Sequence, residues 1–281
     1  MIPVDFDYAV AESVEDAIRL LGAGGEDAKL LAGGHSLIPL MKLRVAVPTM
    51  LVDLRNVQGL SGLQRDNGSW RIGAMTVHSE LEHHPDLGLM GRAAGTIADP
   101  QVRHCGTIGG SLVHGDPASD LPAVLLAAGG SVTAQGSGGR RTIEAADLFK
   151  DYMTTSVAPD EVVTAVHVPA LDGWGYGYQK FNRRAEDWAM VAVCALVSAR
   201  DGVCEDVRVG LTHMASTPLR ATAVEDALRG QPLDAGSIAK AAEHAAQDTD
   251  PPGDLNATPA YKRHLARVLC QRALTEAAGL S

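Results

Sequence analysis

Aromatic residues are scarce in this sequence, 4% of 281 positions. Proteins that stack the bases of single-stranded nucleic acid need such side chains, so that class of partner is disfavoured. Positive charge is short as well: 24 Lys and Arg stand against 34 Asp and Glu, a formal net charge of −10. A phosphate backbone rewards the opposite balance. Cysteine is confined to Cys105, Cys194, Cys204 and Cys270, far apart and without a CxxC pair. That spacing suits neither a disulfide framework nor a zinc or iron–sulfur site made by this chain alone. No run approaches the roughly 18 uninterrupted apolar residues of a membrane-spanning helix. The N-terminus, MIPVDFDYAVAESVEDAI, carries acids early and lacks the basic-then-apolar order of a secretory signal. The expectation is a thiol-reduced, cytoplasmic protein with no nucleic-acid partner, no membrane span and no metal site of its own.

What is present is the composition of an ordinary globular chain, 46% apolar and 21% charged. SVEDAIRLL reads as a first helix, with Ser13 and Asp16 in the positions of a capping box and Gly22, Gly24 and Gly25 as its stop. AKLLAG reads as a strand running into GGHS, LIPLMKLR as a short helix and TMLVDL as a buried strand. The first 54 residues thus form a small α/β unit. Two alternating runs around Asp66-Asn67-Gly68 predict a β-hairpin. LGLMGRAAGTIA and LPAVLLAAG read as helices, GSVTAQG and DEVVTAVHVP as strands. Composition shifts near residue 171. Beyond it, DWAMVAVCALVSARDGVCEDVRVGLTHM predicts two long strands joined by an Asp-Gly turn, and the remainder is helical, ending in a helix over 258–278.

Two glycine-rich segments could carry chemistry. Ala32-Gly33-Gly34-His35-Ser36 lies between a strand and a helix, where adjacent glycines let a ligand approach the backbone and exposed amides attract phosphate. It has neither the Gly-Lys-Ser/Thr of a P-loop nor full GxGxxG spacing. Thr107-Ile108-Gly109-Gly110-Ser111 lies in a segment, 99–120, that reads as a long irregular loop made buried by Val102, Ile108, Leu112 and Val113. A buried irregular backbone needs partners for its amides, which a bound dinucleotide would supply. Asp120 closes this loop, placed either to accept ribose hydroxyls or to cap the following helix. His83 and His84 are expected to face solvent, and Arg183-Arg184 with Glu186-Asp187 to form a solvated charge cluster.

AGGHSLIPLMKLR followed by VRHCGTIGGSLVHGDPASD resembles the FAD-binding medium subunit of the carbon-monoxide dehydrogenase and xanthine dehydrogenase family of molybdenum hydroxylases. YQKFNRRAEDWAMVAV resembles the start of that family's C-terminal domain. The resemblance spans nearly the whole chain. It implies an α+β fold: an FAD-binding domain of the vanillyl-alcohol-oxidase (PCMH) type over 1–171, with subdomains 1–54 and 55–171, then a domain over 172–281 with a three-stranded antiparallel sheet and helices. It implies that Ala32, Gly33, Gly34, His35 and Ser36 wrap the FAD pyrophosphate and that Thr107, Gly109, Gly110 and Ser111 clamp it. Asp120 would meet the ribose or ribityl part, Lys180 would lie near the flavin, and Tyr178 would touch the isoalloxazine. Many relatives carry Asp or Asn at the position of Ser111, whose hydroxyl can still donate and accept.

The implied function is electron transfer through non-covalently bound FAD, with no general base or nucleophile on this chain. Electrons would arrive from [2Fe–2S] clusters of a small subunit, after substrate oxidation at molybdopterin-bound molybdenum in a large subunit, and leave to an external acceptor. The complex would be a dimer of heterotrimers, cytoplasmic or held at the inner face of the membrane through its partners. A self-sufficient FAD-dependent oxidase of the same fold superfamily is the competing reading.

Overall fold

The computed structural model describes residues 2–66 and 68–280; Asn67, at the expected hairpin turn, lies outside them. In the first unit, β1 (Asp7–Val10), α1 (Val14–Gly24), β2 (Ala28–Leu31), α2 (Leu37–Lys42) and β3 (Met50–Asp53) alternate strand and helix. Parallel strands need such crossovers, and the sheet is parallel in the order β1-β3-β2. Ser13 Oγ accepts the Asp16 amide at 3.0 Å, while the Asp16 carboxylate reaches back to the Glu12 amide at 3.2 Å. The capping box therefore forms with its return bond displaced by one residue. α1 runs through Gly22 and stops at Gly25, which takes φ +74.

The second unit is a five-stranded antiparallel sheet in the order Leu63–Asp66, Ser69–Gly73, Val162–Pro169, Ser131–Gly136, Gly139–Glu144. It begins with β4 (Leu63–Asp66), β5 (Ser69–Gly73), α3 (His78–His83) and α4 (Gly88–Ala94). α5 (Pro100–Arg103), α6 (Ile108–His114) and α7 (Asp120–Ala128) follow, then β6 (Ser131–Gly136), β7 (Gly139–Glu144) and α8 (Ala145–Leu148). A small hairpin, β8 (Phe149–Asp151) and β9 (Thr154–Thr155), precedes β10 (Val162–Pro169). The core here includes Ile72, Leu81, Ile108, Leu112, Leu121, Leu125 and Leu148, all fully buried. Each such side chain contributes about 1.5–3 kcal/mol relative to exposure. The segment 99–120 is therefore not an irregular loop: Asp99 and Thr107 each cap a short helix by accepting an amide three residues on.

The third unit holds β11 (Gly175–Phe181), β12 (Val191–Arg200), β13 (Val203–Thr212) and β14 (Leu219–Arg220), antiparallel in that order. The sheet has the three expected long strands and, beyond expectation, a two-residue edge strand. Asp201 and Gly202, at φ +52 and +76, make the tight turn between β12 and β13. α9 (Thr222–Leu228), α10 (Ala235–Ala242) and α11 (Pro259–Ala277) pack on one face. Thr258 caps α11, with Pro259 as its first residue. α11 lies so close to β11 that a Cβ on Gly175 or Gly177 would collide with the Ala277 or Ala273 carbonyl.

α7 joins the halves. Buried along nearly its whole length, it packs against β12 and β13, where Arg208 donates to the Ala128 carbonyl at 3.1 Å. A Cβ on Gly210 would stand 2.5 Å from the Ala123 carbonyl.

Candidate functional site: two glycine turns and a buried ion pair

Both glycine motifs occupy helix starts, but they are built differently. Ala32–Ser36 is the whole connection between β2 and α2. Gly34 takes φ +73, a region open to glycine at little cost. Among the described residues, the amides of Gly33, Gly34, His35 and Ser36 meet no protein acceptor. Ser36 occupies the N-cap position, yet its hydroxyl makes no capping bond. Four free donors and a free hydroxyl on one turn make an anion-attracting surface.

The second motif is satisfied from within. Thr107 Oγ1 accepts the Gly110 amide at 3.2 Å and the Thr107 carbonyl accepts Ser111 at 3.0 Å. Ile108 and Gly109 donate to the Thr76 and Ala74 carbonyls at 3.0 and 2.8 Å. The expectation that these amides need a ligand is thus corrected. What the glycines supply is close approach: a Cβ on Gly109 would lie 2.7 Å from the Ala74 carbonyl, and one on Gly110 2.9 Å from Thr107 Oγ1.

The fold presses the two motifs together. A Cβ on Gly33 would run into the Cys105 carbonyl and approach the Gly106 Cα to 2.8 Å. One on Gly110 would stand 3.8 Å from the Ala32 Cβ. Behind Gly106 stands His78, which the sequence reading missed. Its Cδ2 and Nε2 lie 2.9 and 3.1 Å from the place a Gly106 Cβ would take, and its amide donates to the Gly106 carbonyl at 2.9 Å. The ring is 4% exposed, and its Nδ1 has no partner among the described residues. Burial, then the neighbouring His35 and Arg103, push His78 down to about 4, so the imidazole is neutral at pH 7. His35 itself is exposed.

The remaining expected residues form a second group. Ser111 Oγ lies 2.8 Å from Ser119 Oγ, and Ser119, not Asp120, is the N-cap of α7. Asp120 is buried. Its Oδ1 accepts from the Tyr178 hydroxyl at 2.6 Å and its Oδ2 from Lys180 Nζ at 2.9 Å. Lys180 also donates to the Thr96 carbonyl at 3.0 Å. Both Asp120 oxygens, expected to meet ribose hydroxyls, are therefore engaged by side chains of β11. Burial pushes the Asp120 carboxyl above its ordinary range, against the pull of Lys180 and Tyr178. Burial and Asp120 together raise the Tyr178 hydroxyl well above the usual tyrosine range. Tyr178 is 3% exposed, which leaves its ring little face for a ligand.

Lys180 and Tyr178 back an open cleft of about 610 Å³ between the halves, lined also by Arg92, Asp99, Arg103 and Glu186. Arg103 fixes one wall by donating to Glu82 at 2.7 Å and to the Ile97 carbonyl at 2.9 Å. Of the other histidines, His83 is exposed, and the half-buried His84 meets Trp70 in a T-shaped ring contact at 4.9 Å.

Residues 4–171 match the family described as FAD binding domain in molybdopterin dehydrogenase, and residues 176–277 match CO dehydrogenase flavoprotein C-terminal domain. The chain is 40% identical to the carbon monoxide dehydrogenase medium chain of Hydrogenophaga pseudoflava, covering 99% of this chain and 98% of that one. It is 38% identical to the 6-hydroxypseudooxynicotine dehydrogenase complex subunit alpha of Paenarthrobacter nicotinovorans, covering 99% and 96%. The solved structure of carbon monoxide dehydrogenase from Hydrogenophaga pseudoflava, lacking the Mo-pyranopterin moiety of its cofactor, superposes with a TM-score of 0.97, 40% identity and 99% of each chain covered. Two domain matches and full-length relatives fall on the same geometry, and the chain belongs to the family of FAD-binding medium subunits of the carbon-monoxide-dehydrogenase-like molybdenum hydroxylases, which are oxidoreductases.

Proposed function

We propose that this chain holds FAD non-covalently and relays electrons from [2Fe–2S] clusters of a small partner subunit to an external acceptor, with molybdopterin in a large subunit. The observation that carries the reading is the pairing of the two turns. Among the described residues the donors of Gly33, Gly34, His35 and Ser36 are free, and the backbone of 105–106 is pressed against Gly33 with no room for a Cβ. A dinucleotide diphosphate fits such a cradle because it is anionic and needs backbone donors at short range.

Ala32, Gly33, Gly34, His35 and Ser36 would hold the diphosphate from one side. Thr107, Gly109, Gly110 and Ser111 would close on it from the other, by proximity and hydroxyl groups rather than amides. Bound FAD supplies the ability to accept and release electrons singly or in pairs. Lys180 stands at the back of the cleft, oriented by Asp120 and the Thr96 carbonyl, while Tyr178 fixes Asp120. The division of labour, with FAD over 1–171 and a separate domain over 172–281, and assembly as a dimer of heterotrimers belong to the same proposal.

The carbon monoxide dehydrogenase medium chain and the 6-hydroxypseudooxynicotine dehydrogenase complex subunit alpha are almost equally similar to this chain, at 40% and 38% identity. Substrate choice is therefore assigned to the large subunit. The test is purification from a native host followed by metal and flavin analysis. FAD, iron and molybdenum in one stable assembly are expected. Substrate turnover by the isolated yellow chain would instead favour a self-sufficient oxidase.

A further inference from the structure

Lys262 lies on α11 with no exposed surface, and holding FAD gives it no task. So deep an ammonium is tolerated only when paired and hydrogen-bonded. Its Nζ donates to Asp254 Oδ2 at 2.7 Å and lies 3.2 Å from His213 Nε2. His213 Nδ1 lies 2.9 Å from the Ala189 carbonyl oxygen. A carbonyl only accepts, so Nδ1 carries the proton and Nε2 offers its lone pair to Lys262.

Asp254 is anchored in turn, its Oδ1 accepting the Asn256 and Ala257 amides at 2.7 and 2.9 Å. Against the effect of burial, Lys262 and these amides hold the carboxyl down at about 2. Burial holds His213 below the ordinary histidine range, opposed by the Ala189 carbonyl and reinforced by Lys262, with Asp254 and Asp116 pulling upward.

The backbone of His213, at φ +64, donates to the Pro117 carbonyl at 2.8 Å. One residue thus grips two loops. Pro117 belongs to 115–119, whose Ser119 bonds Ser111 of the second glycine motif. Ala189 belongs to 182–190, whose Asn182, Ala185 and Glu186 line the cleft.

We propose that Lys262 and His213 are positioning residues for the cofactor site: the buried ammonium orients the His213 imidazole, which ties loop 182–190, one wall of the cleft, to the same residue whose backbone holds loop 115–119. The proposal rests on the FAD reading for the identity of the ligand, and on this chain's own hydrogen bonds for the rest.

The test uses the full chain, freed of flavin and titrated with FAD by fluorescence, together with hydrogen exchange, in wild type, Lys262→Met and His213→Asn. Asparagine accepts the left-handed backbone, but its shorter side chain has no atom at the place of Nε2, so Lys262 no longer orients the donor facing Ala189. Both variants are expected to raise the FAD dissociation constant at least tenfold. Exchange in 182–190 should quicken at least tenfold, with β12 and β13 protected as in wild type. Wild-type affinity in the variants, or protection lost evenly across the C-terminal half, would mean that the pair is merely structural and overturn the proposal. If Lys262→Met does not fold, His213→Asn decides. If the wild-type chain binds no FAD, the cofactor reading falls, and the exchange pattern alone decides whether the pair holds loop 182–190.

Discussion

At the scale of single residues, Gly33 and His78 both press closely on the Cys105–Gly106 backbone. Gly33→Ala places a methyl group where the Cys105 carbonyl already is, and overpacking of this kind costs about 1–3 kcal/mol. The strand and helix on either side are independently held, so the expected outcome is a folded chain whose FAD affinity drops roughly tenfold or more, since about 1.4 kcal/mol is one decade. Fluorescence titration measures it; unchanged affinity would remove Gly33 from the cradle. Asp120→Ala is predicted to act on stability. It leaves Lys180 buried without its carboxylate, a loss of about 3–5 kcal/mol when one partner of a buried pair is removed. Urea unfolding reads it, and a loss under about 1 kcal/mol would show that the Thr96 carbonyl alone satisfies Lys180.

At the scale of elements, local signals were legible wherever the chain interacts with itself over a few residues. Ser13 caps α1, Thr258 and Pro259 open α11, and Asp201-Gly202 turns β12 into β13, each as its sequence indicates. The first glycine motif was legible as a strand-to-helix turn for the same reason. Segment 99–120 was misread because its glycines and prolines conceal two caps: Asp99 and Thr107 each hold a helix too short to show periodicity. His78 and Lys262 were not legible at all. Neither TVHSELE nor PAYKRHLARVL carries a spacing that singles out its histidine or its lysine. Yet His78 is defined by contact with Gly106, and Lys262 by Asp254 and His213. Nothing in local spacing encodes such encounters. At this scale Thr107→Ala should cost about 1 kcal/mol through loss of the α6 cap and weaken FAD binding as the TIGGS backbone relaxes. A chain that loses neither stability in urea nor affinity in the flavin titration would show that the Ala74 and Thr76 carbonyls hold the turn unaided.

At the scale of the molecule, burial holds four histidines, His78, His114, His167 and His213, below their ordinary range. Each therefore takes up its proton at lower pH in the folded chain than in the unfolded one, where histidine titrates near pH 6.5. Between that pH and the lower folded value the unfolded chain binds more protons, so stability falls as pH falls through the window. For His78 the window runs down to about 4, and its share by pH 5 is on the order of 2 kcal/mol. Glu15, Asp16, Glu161 and Asp234, held below their ordinary ranges, add loss in the same direction once pH drops through the carboxylate range. The expected result is a melting temperature that declines from pH 7.5 to pH 5, with a shallower decline in His78→Phe. A flat profile across that range would contradict the assignment.

The burial of α7 bears on how this family can be recombined. The helix belongs by sequence to the N-terminal half, yet its Ala123 and Ala128 carbonyls are fitted to Gly210, Cys194 and Arg208 of the other half. A chimera that exchanges C-terminal domains at the linker near 171 would set this helix against a foreign sheet. Grafts that carry 119–128 along with the incoming domain should yield soluble hybrids more often than grafts cut at the linker. The natural unit of exchange would then be discontinuous in sequence.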